Sequence, residues 1–112
     1  MVVKRRIRPE LRPEDEAVIS RFTDAIWLED GLGEKTRMAY RSDLERLAAW
    51  LAEQPGQPLL TAVRRLDLLA WISRGLADGA KTSTAARRLS GLRRFYRYLL
   101  REGVVREDPT LQ

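Results

Sequence analysis

Apolar residues recur at helical spacing in four separate stretches of the chain. In the first stretch they lie mostly three or four residues apart, which would place them on one face of a helix: Val18, Ile19, Phe22, Ala25 and Ile26. Similar patterns follow at about residues 34–53, 66–77 and 82–102. No stretch alternates with a period of two, and β-branched residues are scarce. The pattern therefore predicts an all-α fold, a compact bundle of four main helices joined by short loops.

Local signals mark the ends of the predicted elements. Pro13 precedes three acidic residues, which suits a first helical turn because the acids lie near the positive end of the helix dipole. Thr82 or Ser83 is expected to cap the fourth helix. Residues 1–13 are basic, contain two prolines and lack a helical period. We therefore expect a mobile basic arm there, followed by a helical domain at residues 14–106.

Positive charge is concentrated in two parts of the chain. The formal net charge is +5, yet residues 1–12 alone carry +4 and residues 82–102 carry +5, so the remainder is acidic. Eighteen of the 21 cationic residues are arginine, whose planar fork can hold two phosphate oxygens. An acidic partner such as a nucleic acid is the first expectation.

The fourth predicted helix has one apolar face and one basic face. The apolar positions are Ala85, Leu89, Leu92, Tyr96 and Leu99. The opposite positions, called the basic face below, are Ser83, Arg87, Ser90, Arg94, Arg97 and Arg101. No acid of the same helix lies beside these arginines, so they should repel one another unless a polyanion lies along them. The hypothesis requires unpaired guanidinium groups, and carboxylate partners elsewhere in the molecule would contradict it.

The basic face changes in character along the helix. Its first half combines Arg87 with short polar side chains, including Thr84 beside it, which would let the helix approach base edges in a major groove about 12 Å wide. Its second half presents only arginine, which suits phosphates. The alternative is an ordinary solvated charged face. Arg88 and Arg93 lie nearer the flanks, where acids of neighbouring helices are alternative partners.

The second predicted helix offers a weaker basic cluster at its start. Lys35, Arg37 and Arg41 occupy its first two turns, where cations oppose the helix dipole. A bound phosphate would reverse that sign, and Thr36 could contact it. The alternative is a charged surface with no ligand.

The amino-acid composition argues against several kinds of functional site. The chain has no Cys and no His, so we expect no disulfide and no thiolate metal site, and the commonest general base and metal ligand is missing. Asp67, Asp78 and Glu102 lack the spacing of a catalytic carboxylate pair, so we expect no catalytic residue, and we expect no metal and no cofactor. Tyr40 and Tyr96 lie on apolar faces and are expected in the core rather than as nucleophiles. No apolar run is long enough to cross a membrane, and no signal-peptide pattern is present. A cytoplasmic location is the plain expectation.

Two long stretches, residues 22–51 and 66–110, resemble the N-terminal core-binding domain of Xer-type tyrosine recombinases. The first contains a T-x3-Y-x3-L pattern at Thr36, Tyr40 and Leu44, and the second contains ARRLSGLRRFYRYL followed by DP. The stretches FTDAIWLE and KTS are more similar to the XerD branch than to the XerC branch. The resemblance implies a SAM-like fold.

In that family the domain clamps a half-site of double-stranded DNA, with its second and fourth helices approaching the major groove. The resemblance implies DNA contacts at Lys35, Thr36, Arg37, Arg41, Ser83, Thr84, Arg87, Ser90 and Arg94, and the basic face adds Arg97 and Arg101. Catalysis belongs to a separate C-terminal domain, so residues 107–112 are expected to begin a linker to it. These 112 residues alone should bind DNA and cut nothing.

The resemblance also implies a biological process and an assembly for the full-length protein. Full-length relatives act in chromosome dimer resolution as a tetramer with a paralogous recombinase on DNA, whereas the isolated domain is expected to be monomeric. Three alternatives remain: a phage or mobile-element integrase domain, a helix-turn-helix regulator, and a protein-interaction bundle with an incidental basic face. Only a DNA-binding domain should lose affinity steeply with salt.

Replacing Ser90 by Leu tests whether the basic face reads bases. The Ser90→Leu variant should lose more affinity for a specific duplex half-site than for unrelated duplex, because its bulk keeps the helix from base edges. Fluorescence anisotropy with both duplexes measures this difference. Equal losses on the two would remove Ser90 from the groove.

Overall fold

Four α-helices account for most of residues 9–111, the part of the chain that this computed structural model describes. They are α1 (Pro13–Glu29), α2 (Glu34–Ala52), α3 (Arg65–Ala77) and α4 (Thr82–Arg101), with one 3₁₀ turn at Leu60–Ala62. The predicted all-α bundle is confirmed, and no strand occurs in the described part. No helix within these residues is long and apolar enough to cross a membrane.

The middle of α4 forms the centre of the core. The rings of Phe22 and Phe95 meet edge to face with centroids 5.3 Å apart, and Phe95 contacts Tyr96 in the same way at 4.9 Å. Of the predicted apolar face of α4, Leu92, Tyr96 and Leu99 are buried, and Ala85 and Leu89 are half-buried. All four helices pack on this aromatic centre, directly or through leucines.

The two candidate tyrosines are core residues, as the apolar pattern predicts. Tyr96 is fully buried, and its hydroxyl donates a hydrogen bond to the Leu60 carbonyl at 2.7 Å. Burial raises the pKa of Tyr96 well above its ordinary value, so the phenol stays neutral. Tyr40 is also buried. Both side chains hold the fold together.

A buried carboxylate fixes the start of α1. Asp15 is 1% exposed and accepts hydrogen bonds from the Leu60 amide at 2.9 Å and from Arg12 Nε at 3.2 Å. Arg12 also donates to the carbonyls of Gln57 and Pro58. The expected arm boundary at residue 13 is therefore wrong for Arg12, which belongs to the folded domain because it satisfies these loop carbonyls. Residues 1–8 of the predicted arm lie outside the described residues.

The start of α4 differs from the expected cap. The helix begins at Thr82, and Lys81 takes the N-cap position with extended backbone angles and no side-chain hydrogen bond. Neither Thr82 nor Ser83 caps it, because both already have helical geometry and lie past the capping position.

After α4, the Asp108 carboxylate accepts hydrogen bonds from the Thr110 amide and hydroxyl. The linker at 107–112 stays a prediction.

Helix α4 approaches α2 closely at Gly91. A Cβ atom at this position would lie 2.8 Å from Cδ1 of the Tyr40 ring, closer than real Cβ contacts allow. The glycine is therefore required by packing, although glycine in a helix costs about 1 kcal/mol relative to alanine. This contact brings the two helices with predicted DNA contacts side by side.

A methyl group at residue 91 should destabilise the domain. We expect Gly91→Ala to lower the free energy of unfolding by about 1–3 kcal/mol, because overpacking against the Tyr40 ring exceeds the gain in helix propensity. Gly33→Ala at the start of α2 is the matched control, since φ there is an ordinary −62° and the new Cβ would meet nothing within 4 Å. Urea denaturation measures both. Equal stabilities of the two variants would contradict the close-packing argument.

Candidate nucleic-acid interface

Eight of the eleven predicted contact residues border two separate concavities. A groove of about 1030 Å³ between α2 and α4, the α2–α4 groove, is lined by five of them: Lys35, Arg37, Arg41, Thr84 and Arg87. A smaller cleft of about 220 Å³ between α1 and α4, the α1–α4 cleft, is lined by Arg94, Arg97 and Arg101. The remaining three, Thr36, Ser83 and Ser90, are exposed and line neither.

A buried carboxylate of α2 holds two arginines of α4. Asp43 is 5% exposed and accepts two hydrogen bonds from Arg87, from Nε at 2.9 Å and from Nη2 at 2.7 Å. Its other neighbour is Arg88, whose Nε lies 3.6 Å from the carboxylate and whose guanidinium lies over the Trp71 ring. The hydrogen bond to Asp43 raises the pKa of Arg87. This bidentate arrangement is the strongest kind of arginine pair.

Exposed carboxylates at the end of α1 pair with the second half of the basic face. Arg94 Nη1 donates to Asp30 at 2.7 Å, and Arg101 Nη2 donates to Glu29 at 2.8 Å. In both pairs the side chains remain about half exposed. Such surface pairs contribute about 0–1 kcal/mol, so a phosphate can replace either carboxylate.

The expectation of an unpaired basic face is therefore wrong for Arg87, Arg94 and Arg101, and the charge pattern of α4 no longer argues by itself for a polyanion along this helix. Three of their acids come from the α1 end and from α2, which the periodicity of α4 alone cannot reveal, and Arg101 also lies 3.5 Å from the carboxylate of Glu102, the residue after it. Arg97 is exposed and has no carboxylate partner within residues 9–111. The expected alternative for Arg88, pairing with an acid of another helix, is confirmed.

The cations of α2 differ in how much they are already used. Arg41 donates to the hydroxyls of Thr23 and Ser20 on α1, and its Nε lies 3.4 Å from Glu45. Arg37 stacks on the exposed Trp27 ring at 4.6 Å. Lys35 is exposed and has no carboxylate partner in the described part of the chain. Of the α2 cations that were predicted, Lys35 is the most available to a ligand.

Sequence reasoning missed the role of Asp43, although the sequence carries a signal for it. Asp43 follows Tyr40 by three residues and precedes Leu47 by four, so it lies on the apolar face of α2. A carboxylate on a buried face needs a cation or hydrogen-bond donors. The sequence pattern could not show which arginines would pair with Asp43.

Comparison with known proteins gives a consistent family. The family model for the phage integrase N-terminal SAM-like domain matches residues 19–103. The tyrosine recombinase XerD of Pseudomonas aeruginosa is 51% identical over 102 residues, covering 88% of this chain and 32% of that protein. XerD of Pseudomonas putida is 48% identical over 104 residues, again covering 88% and 32%. XerD of Proteus mirabilis is 44% identical over 97 residues, covering 87% and 30%.

Removing the Asp43 carboxylate should cost far more stability than removing an exposed one. We expect Asp43→Ala to lower the free energy of unfolding by about 3 kcal/mol, because Arg88 is left buried with an uncompensated charge. Asp30→Ala, which breaks the exposed pair with Arg94, should change it by less than about 1 kcal/mol. Urea unfolding monitored by tryptophan fluorescence compares the two. Similar small losses would mean that the Asp43 cluster contributes no more than a surface pair.

Proposed function

The chain belongs to the family of phage integrase N-terminal SAM-like domains, and from this membership we propose that it binds double-stranded DNA as part of a XerD-like site-specific tyrosine recombinase. The chain spans about a third of the length of the XerD proteins it matches. We assign DNA binding to these residues and assign strand cleavage to the rest of such a recombinase.

Within the structure, the α2–α4 groove is the single observation that supports this proposal. It places cations of both helices on one concave surface, together with the short side chain of Thr84. Since the α4 backbone lies against Tyr40 of α2, the two helices form a common surface rather than two independent ones. A duplex can insert its phosphates beside Lys35 while α4 faces the base edges.

The ion pairs in the α1–α4 cleft are compatible with this role. Arg94 and Arg101 are ordered by exposed acids whose loss costs little, so phosphates can compete for them. Arg97 needs no such exchange. Arg94, Arg97 and Arg101 would then contact the DNA backbone from the α1–α4 cleft.

We further propose the biological setting of the whole recombinase. It would act in the cytoplasm in chromosome dimer resolution, as a tetramer with a paralogous recombinase on DNA. The isolated domain would be monomeric in solution, because the proposed assembly forms on DNA. No cofactor is assigned to the domain.

The salt dependence of DNA binding tests the proposal. Lys35→Ala should reduce the slope of log K against log salt by about 0.9, the value of one phosphate contact. Arg65→Ala in α3 makes the same change of charge at an exposed residue that lines neither concavity, and it should leave the slope almost unchanged. Fluorescence anisotropy over a salt series measures both slopes.

Two results would contradict the proposal. One is binding to duplex DNA that does not weaken as salt rises, and the other is an equal change in slope for Lys35→Ala and Arg65→Ala. Either result would favour a protein-binding bundle whose positive charge is incidental.

A further inference from the structure

Arg87 is held so that a defined part of its guanidinium group stays available. The group has five N–H donors, and Asp43 accepts from Nε and Nη2, the pair on one side of the fork. Nη1 has no partner among the residues described. The end of the fork, where Nη1 and Nη2 point the same way, therefore retains two parallel donors. The side chain is 43% exposed and lines the α2–α4 groove.

Pairing with Asp43 changes which ligands the free end of the Arg87 guanidinium group can recognise. The carboxylate offsets the positive charge of Arg87, so its attraction to a phosphate is weaker than that of an unpaired arginine. Its hydrogen-bond direction is fixed by the two bonds to a buried partner. A neutral ligand with two adjacent acceptors gains from that direction without needing the charge. In a major groove the edge of guanine, with O6 and N7, presents such a pair.

The neighbours of Arg87 on α4 allow a base to come this close. Thr84 lies one turn before it and Ser90 one turn after it, and both side chains are short. Arg94, by contrast, is held by the exposed Asp30 alone, and Arg101 is held by the exposed Glu29 and by Glu102 at 3.5 Å. Those two arginines lack the buried support that would fix their direction, so they suit phosphates.

We propose that Arg87 reads a guanine in the major groove and that Asp43 is the positioning residue that aims it. The proposal rests on the proposed function, because it presumes that α4 faces duplex DNA. It adds the arginine that recognises the DNA sequence and the nucleobase that this arginine recognises. It also explains why a carboxylate lies at the bottom of the α2–α4 groove.

The experiment begins by selecting a duplex with the wild-type chain from a library that contains a randomised segment. Each guanine of the selected duplex is then replaced by 7-deazaguanine, which removes only the N7 acceptor. We expect one guanine at which the replacement weakens wild-type binding about tenfold. Binding of Arg87→Ala should be insensitive to the same replacement, and Arg87→Lys should behave alike because it keeps the charge and loses the fork.

Arg97→Ala is the matched control on the same helix. It should weaken binding to the selected duplex and to a scrambled one by the same factor, and it should stay sensitive to 7-deazaguanine. Asp43→Asn should lose that sensitivity while binding the scrambled duplex at least as well as the wild type. Its folding is checked by thermal unfolding, and Arg87→Lys tests the contact independently if Asp43→Asn does not fold.

The possible failures are distinguishable. If no duplex is enriched and wild-type binding does not depend on salt, the proposed function fails and the guanine contact with it. If a duplex is enriched but no guanine replacement weakens wild-type binding, only the guanine contact is wrong. The same holds if Arg87→Ala and Arg87→Lys remain as sensitive to the replacement as the wild type.

Discussion

The arrangement of this domain depends on one buried carboxylate. Asp43 lies on the inward side of α2, where an unpaired charge would be costly. Two guanidinium groups of α4 approach it, and this requirement joins the two helices at a defined position. The same hydrogen bonds leave the Nη1 end of the Arg87 guanidinium group free of protein partners among the residues described. A single interaction thus links the packing of the core to the chemistry of the surface.

The two concavities divide the electrostatic roles. In the α2–α4 groove Arg87 is held by a buried acid, which fixes the direction of its guanidinium group and offsets its charge. In the α1–α4 cleft the acids are exposed, so the arginines keep most of their freedom to exchange partners. The structure therefore separates one rigidly held arginine in the first half of α4 from exchangeable ones in its second half, as the proposed division between base reading and phosphate contact requires.

Most of the fold could be predicted from the sequence, because the four helices are amphipathic and bounded by turn residues. The apolar face of α4 predicted the burial of Leu92, Tyr96 and Leu99. The ion pairs could not be predicted in this way, since they join residues 44, 64 and 72 positions apart. The periodicity of one helix says nothing about acids that another helix supplies. For the same reason Arg12 was assigned to an arm, although loop carbonyls far along the chain hold it.

Under the proposed function, the contact between Gly91 and the Tyr40 ring limits how the DNA preference of such a domain can change. A backbone resting on an aromatic ring leaves no adjustable layer between the helices, and such packing resists compression. Substitutions can change the side chains on the exposed face of α4, but they cannot easily shift α4 along α2 or increase the distance between the two helices. Under the proposed function, related domains are expected to differ in the bases they recognise while keeping the same distance between α2 and α4.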